Sequence, residues 1–273
     1  MLPADNHVHS EWSYDTSPEA SMVRTCEQAL AIGLPAVAFT EHLEFTAAGE
    51  GDAITGAAAD ARWWSRIKPL DVTGYRACIE ECRERFPGLR ILAGVEAGEA
   101  HLFAGSAARI IRAHHWDRVL GSLHAVPFDG RVIAADALFG RMPQDEAMRY
   151  YFTELLRLVE DSDLFEVLAH PDFPRRYWPG GPHLYQEEPY EEEYRTVFRA
   201  LAASGRVIEI NTKSPLSSVE LIGWWREEGG QGVSFGSDAH LPGRVGARFK
   251  LAVDIVEAAG FRPGRDQYDF WRA

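Results

Sequence analysis

Two histidines two residues apart, His7 and His9, lie near the start of the chain, and Asp15 follows them. If this segment is a strand, side chains at i and i+2 point to the same face, so both imidazoles can reach one point. Imidazoles that converge in this way are common ligands of transition metals, and carboxylates often complete the set. A His-x-His pair alone is a weak signal, so its meaning depends on how the later strand-like segments end.

Histidines and carboxylates recur where the later apolar segments end. With the first three residues they give nine candidate metal ligands: His7, His9, Asp15, His42, Glu96, His124, His170, Asp238 and His240. Six of the ten histidines fall at these positions, which scattered surface histidines would not do. Nitrogen and oxygen ligands without a thiolate favour Zn²⁺, Mn²⁺ or Fe²⁺ over soft metals and over a purely Ca²⁺ site.

Nine ligands are more than one tetrahedral ion can use, so the sequence predicts two or three divalent ions that share carboxylates. Ions about 3.5–4 Å apart can hold the attacking and the leaving oxygen of a phosphoryl transfer, and they lower the pKa of a coordinated water. The predicted catalytic residues are Asp238, His240 and Glu96. Asp238 and His240 could each bind a metal or protonate the leaving oxygen. The sequence does not separate the ligand from the acid.

A repeated pattern of a short apolar run followed by a helical segment would position these residues. The predicted strands cover residues 4–9, 35–40, 90–96, 117–123, 164–169, 206–211 and 232–237. The predicted helices cover residues 17–32, 71–86, 104–114, 144–160, 187–204, 217–228 and 244–260. Strict βα alternation favours a parallel sheet with helices packed outside it.

Seven such units over 273 residues predict an α/β fold with a closed or nearly closed barrel in a single domain, residues 1–273. A doubly wound open sheet is the alternative. In a barrel, the carboxyl ends of all strands meet on one face, which would bring the nine ligands together. Two irregular stretches, 43–70 and 171–190, follow strand ends, and a substrate wall and a plain surface loop are both consistent with them.

The composition limits the class of protein. An apolar content of 46% and a charged content of 25% are those of an ordinary globular protein. The net charge of −13 argues against a nucleic-acid polymer as partner. No run approaches the roughly 18 apolar residues of a membrane span. The absence of a signal-peptide pattern and the three cysteines fit a reducing cytoplasm, so we expect a cytoplasmic protein with a small-molecule partner.

Six motifs, in order, resemble those of the polymerase-and-histidinol-phosphatase (PHP) superfamily. They are His7-Val8-His9, Glu41-His42, Glu96, Leu123-His124, Ala169-His170-Pro171 and Ser237-Asp238-Ala239-His240, and the resemblance runs from residue 5 to about 246. The segments Glu209–Thr212 and Gly236–Gly246 are most similar to those of histidinol-phosphate phosphatases. The resemblance implies a distorted (β/α)₇ TIM-like barrel with a trinuclear metal centre.

The resemblance also implies which ligands each ion binds. One ion would bind His7, His9, Glu96 and Asp238; a second would share Glu96 and add His124 and His170; the third would bind Asp15, His42 and His240. The chain departs from the family pattern at Glu11-Trp12-Ser13-Tyr14 and at Lys213-Ser214-Pro215, where close relatives have a Gly-Leu-Arg-like run. These departures leave the exact phosphomonoester open.

A phosphate substrate also requires cationic partners. Four basic residues follow strand ends and are predicted to bind it: Arg244, Lys213, Arg175 and Arg176. Arg244 is the first choice. Arginine suits this role because its planar guanidinium donates two parallel hydrogen bonds.

The residues and the resemblance together predict a metal-dependent phosphomonoesterase, specifically a histidinol-phosphatase that converts L-histidinol phosphate to L-histidinol and phosphate in histidine biosynthesis. One alternative is a PHP-family phosphoesterase that acts on nucleotides or another small phosphate ester. A second alternative, from a different class, is a non-catalytic metal-binding barrel.

Overall fold

The computed structural model describes residues 2–45 and 67–273. These residues contain ten strands, and eight of them make up the main sheet. Along the chain the strands are β1 (Asp5–Val8), β2 (Ala36–Leu43), β3 (Arg90–Gly98), β4 (Arg118–Ser122), β5 (Ala125–Phe128), β6 (Arg131–Ala134), β7 (Val167–Leu168), β8 (Val207–Asn211), β9 (Gly232–Gly236) and β10 (Trp271–Arg272). Over the same residues the helices are α1 (Met22–Ile32), α2 (Val72–Arg85), α3 (Ala104–Ala113), α4 (Gln144–Asp161), α5 (Glu191–Ala203), α6 (Val219–Glu227) and α7 (Phe249–Ala258). Strands β5 and β6 form a separate antiparallel hairpin.

The main sheet runs β1-β2-β3-β4-β7-β8-β9-β10, and its first seven strands are parallel. Val8 at the end of β1 bridges Ala239 just beyond β9. The backbone N–H of Asp238 donates to the carbonyl of His7 at 2.8 Å. The sheet therefore closes on itself at its carboxyl end. At its amino end, β9 also pairs with the antiparallel strand β10. This additional strand distorts the barrel.

This sequential strand order confirms the predicted (β/α)₇ barrel. A doubly wound sheet would reverse its strand order at the centre, so that alternative is wrong.

The local sequence explains how these elements form. All eight residues of β2 are buried, as expected for a parallel strand covered on both faces. Helix α4 buries Tyr151, Leu155, Leu158 and Val159 against the core, which is the apolar stripe expected from helical spacing. Ser21 caps the first turn of α1 by accepting a hydrogen bond from the Arg24 N–H, which satisfies a donor with no partner inside the helix.

The structure adds elements that the βα pattern did not predict. The β5–β6 hairpin turns at Asp129 and Gly130, which both have positive φ, and an Asp-Gly pair is a typical signal for such a turn. The irregular stretch 171–190 contains three short 3₁₀ helices. Most of the other irregular stretch, residues 46–66, lies outside the described residues.

Within residues 2–45 and 67–273, no helix combines the length and the apolar character needed to cross a membrane.

Candidate metal centre

The structure brings all nine predicted ligands to the carboxyl end of the barrel. Glu96 lies at the centre and is 1% exposed. Its Oε2 atom is 3.3 Å from His7 Nε2 and 3.4 Å from His9 Nε2. Its Oε1 atom is 2.8 Å from His170 Nε2 and 3.3 Å from His124 Nε2. Oε2 also lies 3.1 Å from His42 Nδ1. The two carboxylate oxygens therefore face different sets of imidazoles, an arrangement in which one carboxylate can bridge two ions.

A second carboxylate, Asp15, joins two further histidines at the rim of the cluster. Its Oδ2 atom is 2.9 Å from His240 Nε2 and 3.3 Å from His42 Nε2. The side chains of Asp15 and His240 are 22% and 20% exposed, in contrast to the buried Glu96. These two residues come from loops, after β1 and after β9, whereas His42 lies in β2.

Asp238 connects the buried and the exposed parts of the cluster. Its Oδ1 atom lies 3.7 Å from His9 Nε2 and 3.4 Å from His240 Nδ1. The φ angle of Asp238 is 50° and that of His170 is 24°, values that are uncommon outside glycine. Backbone strain of this kind often accompanies functional sites.

The acidic residues of the cluster are held in their charged form. Burial alone would raise the pKa of Glu96, but the surrounding imidazoles, His7 first, hold it well below its usual range. Burial also opposes ionisation of Asp238, yet Lys213 and Arg176 hold the pKa of Asp238 well below its usual range. Both carboxylates are therefore available as anionic ligands.

The histidines respond to burial and to these carboxylates in opposite directions. Burial, with the neighbouring His42, lowers the pKa of His9 well below its usual range, so this ring is neutral and can bind a metal. Burial would also lower the pKa of His124, but Glu96 and Glu44 raise it to about 10. The carboxylates thus draw positive charge into the site, and a divalent cation is the natural source of such charge.

Two further observations fit a metal. Four groups of three side chains place one ligand atom each within 4.8 Å of one another: His7–His9–Asp238, His7–Glu96–His170, His9–His42–His240 and His42–Glu44–His124. Several buried atoms, including Glu96 Oε2, His42 Nδ1 and Asp15 Oδ1, make no hydrogen bond to any part of residues 2–45 and 67–273. Buried polar atoms normally have a partner, so the cluster can accommodate metal ions.

The structure places the four predicted phosphate-binding residues in three different environments. Arg176 Nη2 lies 2.7 Å from Asp238 Oδ2, and Lys213 Nζ lies 2.9 Å from Asp238 Oδ1. Arg244 is exposed and lines a pocket of about 400 Å³ next to the cluster, together with Lys213 and His240. Arg175 is not brought to the cluster.

Arg175 instead forms buried ion pairs behind the site. Its guanidinium lies 2.7 Å from Glu187 and 3.2 Å from Asp172. It also lies over the ring of Tyr185, 5.1 Å from the centroid. The neighbouring residues Arg175 and Arg176 therefore point in different directions, and only Arg176 of this pair contacts a candidate ligand.

Two buried glutamates next to the ligands were not among the predicted site residues. Glu44 Oε1 lies 2.8 Å from His124 Nδ1, and Glu209 Oε1 lies 2.7 Å from His7 Nδ1. Glu44 is two residues beyond His42, so the i, i+2 rule applied past the predicted end of β2 could have found it. Glu209 is part of a recognised motif, but its role depends on contacts over long sequence distances.

Other buried side chains support the ligands through hydrogen bonds. Glu41 accepts from the hydroxyl of Ser13 at 2.6 Å, and Ser13 Oγ lies 3.0 Å from His9 Nδ1. Glu99 accepts from the backbone N–H groups of His124 and Ala125 at 2.7 and 2.8 Å. Such outer contacts fix the orientation of metal-binding histidines.

A closed (β/α)₇ barrel with histidines and carboxylates gathered at its carboxyl end defines a class of metal-binding barrel proteins. The chain belongs to the PHP domain family, whose pattern it matches over residues 5–213. This confirms the superfamily that the six motifs indicated.

Individual relatives are similar over almost the whole chain. A histidinol-phosphatase of Lactococcus lactis subsp. lactis (strain IL1403) is 25% identical over 96% of this chain and 93% of the relative. A probable histidinol-phosphatase of Clostridium acetobutylicum is 24% identical over 95% of this chain and 94% of the relative. The crystal structure of the Lactococcus histidinol phosphate phosphatase, complexed with zinc, L-histidinol and phosphate, superposes with a TM-score of 0.79 at 24% identity, covering 96% of this chain and 95% of that one. The superposition on this crystal structure supports the fold of the chain.

Proposed function

We propose that this chain is a metal-dependent phosphomonoesterase that hydrolyses L-histidinol phosphate to L-histidinol and phosphate, a step of histidine biosynthesis. The observation that carries the proposal is that Arg176 and Lys213 both contact Asp238, at the edge of a ligand cluster built around Glu96. Cationic side chains, and metal ions held by neighbouring ligands, could contact the same phosphoryl group. The names of relatives that align with 95% or more of this chain support the choice of substrate.

The metal centre would hold two or three divalent ions, zinc, manganese or iron. The two oxygens of Glu96 support one ion with His7 and His9 and another with His124 and His170. The contacts of Asp15 support a third ion with His42 and His240. When bound, such ions activate a water molecule and neutralise charge on the phosphoryl oxygens.

The residues of this chain would then bind and orient the substrate. Arg176 and Lys213 lie close enough to Asp238 to contact phosphoryl oxygens at the same position, and the adjoining pocket of about 400 Å³ would take the alcohol portion. His240 is better placed than Asp238 to protonate the leaving oxygen. Both residues line that pocket, but Asp238 is held ionised by Lys213 and Arg176 and has no proton to give.

We further propose that residues 1–273 form one catalytic domain, because β1 and β10 belong to the same sheet. The pocket of about 400 Å³ beside the cluster supports a small-molecule partner. The cytoplasmic location and the lack of a nucleic-acid partner stay predictions from the sequence.

Steady-state kinetics of metal-quantified protein on histidinol phosphate, beside a panel of nucleotides and sugar phosphates, tests the function. We expect kcat/KM for histidinol phosphate to exceed that for every other ester of the panel. Equal values across the panel would refute the substrate while leaving a general phosphatase. No hydrolysis of any ester by fully metal-loaded protein would favour a non-catalytic barrel.

A further inference from the structure

Two histidines of the metal centre share the same buried arrangement. His124 has Glu44 Oε1 at 2.8 Å from Nδ1 and Glu96 Oε1 at 3.3 Å from Nε2. His7 has Glu209 Oε1 at 2.7 Å from Nδ1 and Glu96 Oε2 at 3.3 Å from Nε2. All five side chains are 4% exposed or less. Each imidazole thus lies between the central carboxylate and a second carboxylate behind it.

A carboxylate next to a ring nitrogen determines which nitrogen carries the proton. An ionised carboxylate can only accept hydrogen bonds, so the Nδ1 atom that it contacts must donate. When the ring is neutral, its Nε2 atom then has the free lone pair that a metal requires. Glu44 and Glu209 therefore favour the tautomer in which Nε2 of His124 and of His7 is directed at the ions.

Each of these glutamates is packed against a glycine. A Cβ atom at Gly98 would lie 2.2 Å from Glu44 Oε2, and a Cβ atom at Gly236 would lie 1.9 Å from Glu209 Oε1. Neither glycine has a positive φ, so another residue could adopt the same backbone. These positions need glycine for space and not for their backbone conformation. At Gly236 the added Cβ atom would also lie 2.6 Å from the Cβ atom of His7.

The two glutamates differ in how firmly they are held. Glu209 Oε2 also accepts from the His170 N–H at 2.7 Å and from Asn211 Nδ2 at 3.1 Å. Glu44 Oε2 accepts no hydrogen bond from residues 2–45 or 67–273. Within the described residues, Glu44 contacts the imidazoles of His124 and, at 3.6 Å, His42, so a change at Glu44 reports on the histidines more directly than a change at Glu209.

We propose that Glu44 and Glu209 are positioning residues that fix the Nδ1–H tautomer of His124 and His7, and that Gly98 and Gly236 provide the space for their carboxylates. This inference rests on the metal centre of the proposed function but not on the identity of the substrate. It assigns Glu44 a role through His124 and not as a metal ligand itself.

The first test measures zinc affinity by competition with a chelator and zinc content at saturation. Outer carboxylates typically contribute about 10–100-fold to metal affinity, so Glu44→Ala should weaken zinc binding by about that factor. Glu44→Gln, which keeps an oxygen acceptor, should restore most of the loss. The zinc content at saturation should not change. Wild-type affinity in Glu44→Ala, or a zinc content lower by one ion at saturation in Glu44→Gln, would overturn the positioning role.

A second measurement observes the histidine rings directly. In zinc-loaded protein labelled with ¹⁵N-histidine, long-range ¹H–¹⁵N spectra should show His7 and His124 with a protonated Nδ1 and a zinc-bound Nε2. Zinc bound through Nδ1 of either ring would contradict the proposal. Neither measurement uses a phosphate ester, so both results stand even if histidinol phosphate is not the substrate.

The glycine part of the inference can be tested by a double-mutant cycle. Gly98→Ala should weaken zinc binding as Glu44→Ala does, and it should add little in the Glu44→Ala background, because the two residues act through one contact. Gly88→Ala, two residues before the strand that contains Gly98, is the control, since its Cβ atom would lie 3.9 Å from the nearest atom, a leucine methyl. Full additivity of Gly98→Ala and Glu44→Ala would refute the link between them.

Discussion

The metal centre has an inner side and an outer side that are built differently. The inner side consists of Glu96 and four of the histidines beside its two oxygens, which are buried at strand ends. His42 lies between the two sides, 3.1 Å from Glu96 and 3.3 Å from Asp15. The outer side consists of Asp15, His240 and Lys213, which come from loops and are 20% to 41% exposed. Three of the four inner histidines, His7, His9 and His124, have their second ring nitrogen bonded to Glu209, Ser13 or Glu44, whereas His170 Nδ1 has no such partner within residues 2–45 and 67–273. On the outer side, His240 Nδ1 faces Lys213 and a backbone carbonyl.

This difference separates two tasks. A ligand that is buried and hydrogen-bonded on its far side keeps one orientation, which favours tight metal binding. A ligand on an exposed loop can exchange contacts with a substrate, at the cost of weaker binding. We therefore expect changes on the inner side to affect metal content and changes on the outer side to affect mainly substrate turnover.

The largest effect is expected at the centre of the inner side. Glu96→Gln keeps the shape but removes the charge that both pairs of imidazoles face, so metal content and kcat should fall together, kcat by on the order of 10³-fold or more. Metal analysis and steady-state kinetics on one preparation measure both. Glu166→Gln, at the opposite end of the barrel, is the control. A full metal complement in Glu96→Gln would contradict the bridging role.

The next effect concerns the outer ligand Asp15. Asp15→Asn removes the charge of a proposed ligand beside His42 and His240, so one ion should be lost selectively, with a loss of affinity at that site at least as large as the roughly 10–100-fold of an outer carboxylate. Zinc titration should show one weak site and an unchanged content at the remaining sites. Loss of all ions together would show that the two sides do not bind metal separately.

Two adjacent arginines offer a matched comparison. Arg176→Met removes a cation that contacts Asp238, so kcat/KM should fall by about 10–100-fold, the worth of a charged hydrogen bond. The loss of stability should be smaller than for Arg175→Met, because Asp238 keeps Lys213 as a second partner. Arg175→Met leaves Asp172 and Glu187 buried without their partner, which should lower the free energy of unfolding by about 3 kcal/mol and change kcat/KM little. Urea unfolding and kinetics on both variants distinguish the two roles. A large loss of kcat/KM in Arg175→Met and a large loss of stability in Arg176→Met would show that the roles are the reverse.

These two arginines also show what the sequence could predict. Strand ends are readable from apolar runs, and side chains at strand ends share one face of a barrel, so all nine ligand candidates could be located. Arg175 and Arg176 both follow a strand end, but their directions depend on a 3₁₀ helix, Phe173–Tyr177. Because a one-residue step along such a helix turns a side chain by about a third of a turn, the sequence pattern did not separate them.

The supporting glutamates show the same limit for longer distances. Glu209 meets His7 across 202 residues of sequence, a contact that arises only when the last strands close against β1. The β5–β6 hairpin was missed for a local reason, since its Asp129-Gly130 turn was available to be recognised. Ligand type and strand position were therefore predictable, whereas the partners behind each ligand required the closed barrel.

The smallest effect is expected at the exposed cations of the outer side. Arg244 was the first choice for phosphate from the sequence, yet its side chain is exposed and only borders the pocket. Exposed ion pairs contribute at most about 1 kcal/mol, so Arg244→Ala should raise KM about fivefold or less, and the effect should disappear in high salt because charge screening weakens it. Lys213→Met should have a larger effect on KM, since its ammonium contacts Asp238 at 2.9 Å. Kinetics at low and high ionic strength rank the two, and a greater loss in Arg244→Ala would place the phosphate farther from the metal centre than proposed.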